Sequence, residues 1–301
     1  MNQRLTLSTA ALLVVPPLLW ASNAVLGRVL NGVIPPFTLN FLRWLIAFAL
    51  LLPWTVWVLR RDSPLWAHWR RYALLGLLGV GLYNSLQYLA LTTSTPINVT
   101  LVAASTPIFM LAMGGLFFGQ TITRRQMLGA LMSVAGVLLV LSRGQWQVLA
   151  QLQLVPGDIL VLLATVAWAW YSWLLTRRED DPAALRNDWA AFVMAQTAFG
   201  LIWAGLLTGS EWALTESVQI AWSWPLAAAL LYVAAGPAIL AYRCWGLGIQ
   251  RVGPNVAAFF ANLTPLFAAM LSAAFLGELP QLYHAAAFVL IVGGIAVASL
   301  R

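Results

Sequence analysis

The sequence has no lysine, a single cysteine, two histidines and nine acidic residues among its 301 positions. Each scarcity removes a class of protein. One cysteine, Cys244, cannot close an internal disulfide or supply a C-x-x-C redox or zinc pair. The histidines, His68 and His284, lie far apart without the spacing of a metal pair, so no metal or other cofactor is expected. Charged residues make up 8% of the chain against 61% hydrophobic, which leaves too little polar surface for a soluble fold. The carboxylates avoid the apolar runs: Asp62, Glu179, Asp180, Asp181 and Asp188 flank one set of ends, and Asp158, Glu211, Glu216 and Glu278 the other. Without paired carboxylates, a nucleophile with its base or a metal at depth, an intramembrane enzyme is excluded. The glycine-rich "GLLGVG" at 76–81 lies inside an apolar run and is not a phosphate loop.

What the chain has in abundance is long apolar sequence. Ten runs are legible, near 8–30, 36–59, 70–91, 95–118, 125–141, 157–177, 186–208, 225–247, 253–276 and 281–300. A helix of about 20 apolar residues crosses a hydrocarbon core roughly 30 Å thick. These runs are continuous and too long for the alternating strands of an outer-membrane barrel. The first run is also too long for the core of a secretion signal and lacks a small-x-small cleavage site, so it is expected to be a helix. The expected fold is an all-α integral membrane protein.

The arginines set its orientation. Arg4, Arg60, Arg61, Arg70, Arg71, Arg124, Arg125, Arg177, Arg178, Arg186, Arg251 and Arg301 all fall on one side, and only Arg28 and Arg143 on the other. The positive-inside rule then places both termini in the cytoplasm. The net charge of +7 follows from this topology. Because the arginines are scattered over short loops, no nucleic-acid partner is implied. Trp54, Trp57, Trp66 and Trp69, and on the other side Trp146, Trp212, Trp222 and Trp224, read as interfacial belts.

The chain repeats itself. At a constant offset Pro96 falls on Pro254, Thr106-Pro107 on Thr264-Pro265, Gly119-Gln120 on Gly277-Glu278 and Gly136 on Gly294; the earlier helices agree more weakly and at a different offset, with Leu19-Trp20-Ala21 on Ala167-Trp168-Ala169. Residues 1–145 and 146–301 thus form two five-helix repeats. Five is odd, so the second copy enters the membrane from the opposite face. Ten helices in two inverted repeats around a central cavity is a common architecture of secondary transporters.

The opening "LLWASNAVLGR…PPFTLNFLRWLIA" and the ending "GPNVAAFFANLTPLFAAMLSAAFLGELP…GGIAVAS" resemble the drug/metabolite transporter superfamily in its EamA-domain branch, over essentially the whole chain. Within that branch the likeness is greatest to the YddG group of bacterial aromatic amino acid exporters. The resemblance implies a bacterial inner-membrane exporter of small metabolites, a monomer or weak dimer in the bilayer, working by alternating access. It also implies a cavity framed by helices one, three, four, six, eight and nine, with five and ten at the periphery.

Polar residues buried in apolar runs point to the same place, because an unpartnered polar group in lipid is costly. In "YNSLQY" on the third run, Tyr83, Asn84, Gln87 and Tyr88 share one broad helical face. Trp20 and Asn23 on the first run, Asn98 and Ser105 on the fourth, Thr165, Trp168 and Tyr171 on the sixth, Tyr242 on the eighth and Asn262 on the ninth complete the candidate substrate lining. The fifth and tenth runs carry almost no hydrogen-bonding groups beyond their first turn and read as scaffold. Pro107, Pro237 and Pro265 fall inside their runs, where each should kink or hinge a helix.

Arg43 lies within the second run, roughly 10 Å below the outer face, and is either an anchor for neighbouring polar groups or a contact for a substrate carboxylate. One arginine at depth is too little for phosphorylated cargo. Neutral or zwitterionic substrates fit, foremost Phe, Tyr and Trp, whose flat bodies suit Trp and Tyr faces. Those faces could equally hold aromatic or quaternary-ammonium drugs and toxic cations. No titratable acid lies on the path, so facilitated rather than proton-coupled transport is expected.

Overall fold

The chain was analysed as a computed structural model that describes residues 5–94, 96–151, 153–215, 219–276 and 281–300. The described residues hold helices and no strand. The principal helices are α1 (Leu7–Val29), α2 (Pro36–Thr55), α3 (Trp69–Thr93), α4 (Pro96–Ala103), α5 (Thr106–Phe117), α6 (Arg124–Leu141), α7 (Pro156–Leu174), α8 (Trp189–Leu214), α9 (Trp224–Val252), α10 (Pro254–Ala261), α11 (Thr264–Leu276) and α12 (Leu282–Ser299). Among the described residues nine helical stretches are long and apolar enough to cross a membrane, with α5 a shorter apolar helix. The architecture is that of an integral membrane protein. Trp54, Trp66, Trp69, Trp212, Trp222 and Trp224 are all exposed, as interfacial side chains should be.

The fourth expected span is not one helix. The chain leaves the helix after Ala103 and re-enters it at Thr106, and the ninth run breaks in the same way between Ala261 and Thr264. Pro107 and Pro265 therefore do not kink continuous helices. Each stands in the first turn of a new helix, where a missing N–H leaves no hydrogen bond unmade. Local hydroxyls satisfy the carbonyls released at the breaks: Thr106 donates to the Ala103 oxygen, Ser105 to that of Val102 and Thr264 to that of Ala261. The side chain of Asn262 reaches across to the Ala104 oxygen.

Two other interruptions are subtler. Gly76–Leu82 within α3 and Ala234–Leu240 within α9 are wide π-helical turns. Pro237 lies in the second, where its lack of an N–H favours the altered bonding. In the first, side chains take up the backbone: Asn40 Nδ2 donates to the Val80 oxygen at 2.9 Å, and Tyr242 donates to that of Gly79. Helix boundaries recur along the chain. The π turns, α4 and α10, α5 and α11, and α6 and α12 each begin 158 residues apart.

The packing has the same duplication. α7 packs on α3, α4 and α5, and α1 packs on α9, α10 and α11. α2 lies on α8 and α6 on α12. The α6–α12 seam, expected as scaffold, is closed by glycines. A Cβ built on Gly129 would stand 2.6 Å from the Gly294 oxygen and 2.8 Å from the Ala298 Cβ, so the backbones approach as small-residue faces allow. Ser133 on the same helix is fully buried and accepts from Asn262 Nδ2 at 2.9 Å, so α6 is less blank than its sequence suggests.

Gly129→Leu and Gly294→Leu are each expected to cost about 1–3 kcal/mol through overpacking. Gly209→Leu, where nothing lies within 4 Å of the added Cβ, should be neutral. Midpoints of thermal unfolding in detergent separate the two cases.

Candidate functional site

Aromatic rings fill the centre of the bundle. Trp168 on α7 stacks on Tyr83 of α3 with centroids 4.5 Å apart and on Tyr171 at 5.0 Å. It meets Trp20 of α1 edge-on at 5.2 Å and Tyr242 of α9 at 5.4 Å. Trp245 and Trp44 close the group against Trp20 and Tyr242 respectively. Trp44, Trp168, Tyr171, Tyr242 and Trp245 are buried, whereas Trp20 and Tyr83 are half-buried. The expected cavity is thus closed at this depth by its own lining.

A polar network runs along the α2 and α3 side of the rings. Arg43, with no exposed surface, donates from Nη1 to Asn84 Oδ1 at 2.9 Å and to the Tyr88 hydroxyl at 3.2 Å. Tyr88 in turn donates to Asn23 Oδ1 on α1 at 2.8 Å, and Asn84 Nδ2 donates to the Tyr242 hydroxyl at 3.4 Å. Four helices therefore meet in one chain of bonds. Asn40 is fully buried one turn before Arg43 and donates to Ser85 at 2.9 Å. Tyr171 donates to Gln196 of α8 at 2.9 Å, and Trp245 to Ser172 at 3.0 Å.

Two recesses open at the arginine-rich end. One, of about 540 Å³, lies between the α5–α6 connection, the end of α7 and the α9–α10 junction, and includes Gln126, Trp173, Thr176, Arg178, Gln250 and Asn255. The other, of about 290 Å³, includes Arg178, Arg186, Trp189, Gln196, Tyr242 and Arg243, and also reaches Tyr171. The second recess ends on the central rings. At its mouth the Arg243 guanidinium lies 4.3 Å from the centroid of the Trp189 ring.

Of the residues the sequence singled out, Trp20, Asn23, Tyr83, Asn84, Tyr88, Trp168, Tyr171 and Tyr242 are brought together here, with Arg43 beside them. Gln87 is half-buried on the same face of α3. Ser105 and Thr165 bond back to their own helices, and Asn262 ties α10 to α6 and to the α4–α5 break. The side chain of Asn98 lies outside the described residues. Asn40, Trp44, Gln196 and Trp245 join the cluster unannounced. The same signal, a polar or indole group within an apolar run, would have found them on the second, seventh and eighth runs.

At the arginine-rich end, Arg71 holds Asp181 with Nε–Oδ1 at 2.6 Å and Nη2–Oδ2 at 2.8 Å, and Tyr72 donates to the same carboxylate at 3.0 Å. At the other end, Ser94 donates to the buried Asp158. α3 and α7 are thus tied at both ends.

A helical membrane bundle with closed aromatic centre and a recess leading to it from one end has the architecture of a small-molecule carrier. The match to known proteins agrees: the chain belongs to the EamA-like transporter family, whose model matches residues 7–142 and again 155–300. It is 27% identical over 289 residues to an uncharacterized transporter of Archaeoglobus fulgidus, covering 95% of this chain and 96% of the relative. It is 26% identical over 289 residues to the aromatic amino acid exporter YddG of Ancylobacter novellus, covering 94% of each. A crystal structure superposes with a TM-score of 0.73 at 24% identity, over 97% of this chain and 96% of that one, and shares the fold. The family and both of these relatives are named as transporters or exporters.

Tyr88→Phe removes the one hydroxyl that links Arg43 to Asn23. A loss of roughly 1–3 kcal/mol is expected, since a buried acceptor and a charged donor both lose a partner. Tyr232→Phe, which breaks the exposed bond to Ser22, should cost less than half as much. Thermal unfolding of the two variants side by side checks this.

Proposed function

We propose that the protein is an inner-membrane secondary transporter that exports small neutral or zwitterionic metabolites, foremost Phe, Tyr and Trp, by alternating access. The observation that carries this reading is the recess whose end wall is Tyr171 and Tyr242, members of a ring cluster large enough to hold a flat aromatic body. The name of the Ancylobacter relative supports the same class of cargo.

The mechanism rests on two inverted repeats, residues 1–145 and 146–301. The family model matches twice, and helix starts recur 158 residues apart. Repeat-related residues also touch each other. Trp20 meets Trp168, Asn84 bonds Tyr242, and Ala104 bonds Asn262. A residue lies against its own counterpart only close to a local two-fold axis, so the aromatic cluster straddles the axis about which the halves exchange roles. With the arginine-rich end in the cytoplasm, both recesses open inward.

Facilitated transport is favoured because the central network is built from arginine, amides and phenols. The cation-exporter alternative is disfavoured by Arg43, whose fully buried positive charge would repel a cationic drug.

Liposomes holding only the purified protein should take up labelled Phe and Trp, but not Thr, without a pH gradient. Tyr83→Ala combined with Gln87→Ala should slow uptake at least roughly tenfold by removing the stacked face and an amide beside it. If neither aromatic amino acid moves, the cargo assignment fails; movement that requires a proton gradient would remove the uncoupled mechanism instead.

A further inference from the structure

Arg43 has no exposed surface and, among the described residues, no carboxylate partner. Among the described residues the ion pairs found join Arg71 to Asp180 and Asp181, at the end of the bundle. Only Nη1 of Arg43 is hydrogen-bonded, to two neutral groups, while Nε and Nη2 have no acceptor. A guanidinium stays protonated at any physiological pH, so it cannot escape the cost of burial by losing its charge, as a lysine could.

The neighbourhood repeats the pattern. The indole Nε1 groups of Trp44 and Trp168 are also buried without acceptors. Both rings lie against Tyr242, at 4.9 and 5.4 Å, and the Arg43 guanidinium lies 5.5 Å from the Trp44 ring. Four nitrogen donors on three side chains around Tyr242 thus lack acceptors. The one unpartnered acceptor nearby on α2, Asn40 Oδ1, is neutral and cannot balance the charge. Donors in excess around a buried cation are the complement of a carboxylate. The recess leads toward them: its end wall, Tyr242, bonds Asn84, and Asn84 bonds Arg43.

We propose that the cargo is recognised as an aromatic monocarboxylate. Its carboxylate takes Arg43 Nε and Nη2 with the indole N–H groups, its ring lies among Tyr83, Trp168 and Trp20, and an α-ammonium group is not read. This rests on the reading of the ring cluster as the cargo site, and it sets the aromatic monoanion ahead of the zwitterionic amino acids proposed above. Charge decides the preference. A monoanion brings the buried site to neutrality, a zwitterion leaves it at net positive charge with an ammonium that has no carboxylate to meet, and a cation doubles the imbalance. Tyr242, held by Asn84 and the Gly79 oxygen, stands between the recess and the guanidinium and must swing aside for the carboxylate to pass.

Three probes with one ring and different charges test this: 3-phenylpropionate, phenylalanine and phenethylamine, titrated into the purified full chain at pH 7.5 with intrinsic tryptophan fluorescence as the readout. We expect 3-phenylpropionate to bind about tenfold more tightly than phenylalanine, and phenethylamine not to bind. Arg43→Gln should abolish the preference. Trp168→Phe, which keeps a ring and loses a donor, should weaken 3-phenylpropionate about fivefold, the worth of one hydrogen bond. Phenylalanine binding as tightly as 3-phenylpropionate would overturn the proposal and leave the amino acid exporter standing. Equal weakening of every probe by Arg43→Gln would make Arg43 an anchor and overturn it too. Binding of none of the three would remove the aromatic cargo itself.

Discussion

The centre of the molecule depends on the burial of one cation. Taking a guanidinium out of water has an effective cost of several kcal/mol even after relaxation. Arg43 recovers part of that through Asn84 and Tyr88, and those bonds fix where α1, α2, α3 and α9 stand. Asn84 is held with its amide pointing at Tyr242, and Tyr88 with its hydroxyl pointing at Asn23. The rings are then packed around phenols whose oxygens are already committed. In lipid, where apolar packing alone gives little preference between helix neighbours, such bonds supply specificity.

The π turn in α3 completes the arrangement. Its carbonyls accept Asn40 from α2 and Tyr242 from α9, so the glycines of "GLLGVG" serve a backbone that others can reach. A side chain at Gly79 would collide with Tyr171, whose ring would lie 2.8 Å from the added Cβ. The two ends of the α3–α7 pair are then sealed by carboxylates, Asp181 under Arg71 and Tyr72, Asp158 over Ser94. The counterpart pair, α1 and α9, has between its side chains the hydroxyl contact of Ser22 with Tyr232 and the contacts of its rings.

Much of this was legible in the sequence because lipid makes it so. A polar residue in an apolar run has few places to go, and "YNSLQY" went to the one place where its groups find partners. Thr-Pro at 106–107 and 264–265 announced an irregularity, but only the structure distinguishes a kinked helix from one that ends and begins again, since proline is compatible with both. The π turn was hidden for a related reason: glycine permits it without requiring it. Asn262 read as part of the lining and bonds instead to Ser133, because a polar side chain states its need for a partner and not the partner's address. The closed centre was illegible altogether. One sequence encodes every conformation of a carrier, and which of them has its rings packed is a property of the state.

That last point bears on the unpartnered donors. A binding site whose every group is satisfied within the protein gains nothing differential from its cargo, and a ligand shifts an equilibrium only by binding one state better than another. Arg43 Nε and Nη2 and the indoles of Trp44 and Trp168 are satisfied by nothing in the closed arrangement, whereas Tyr242 is satisfied twice over. A state in which Tyr242 gives up its bond to the Gly79 oxygen loses one hydrogen bond and opens four donors. Without an acceptor that exchange is unfavourable, and with a carboxylate on the guanidinium it is favourable, since bonds to charged groups are stronger than neutral ones. On the proposed recognition of a carboxylate, the same imbalance that makes the centre costly to bury couples cargo binding to the movement of Tyr242.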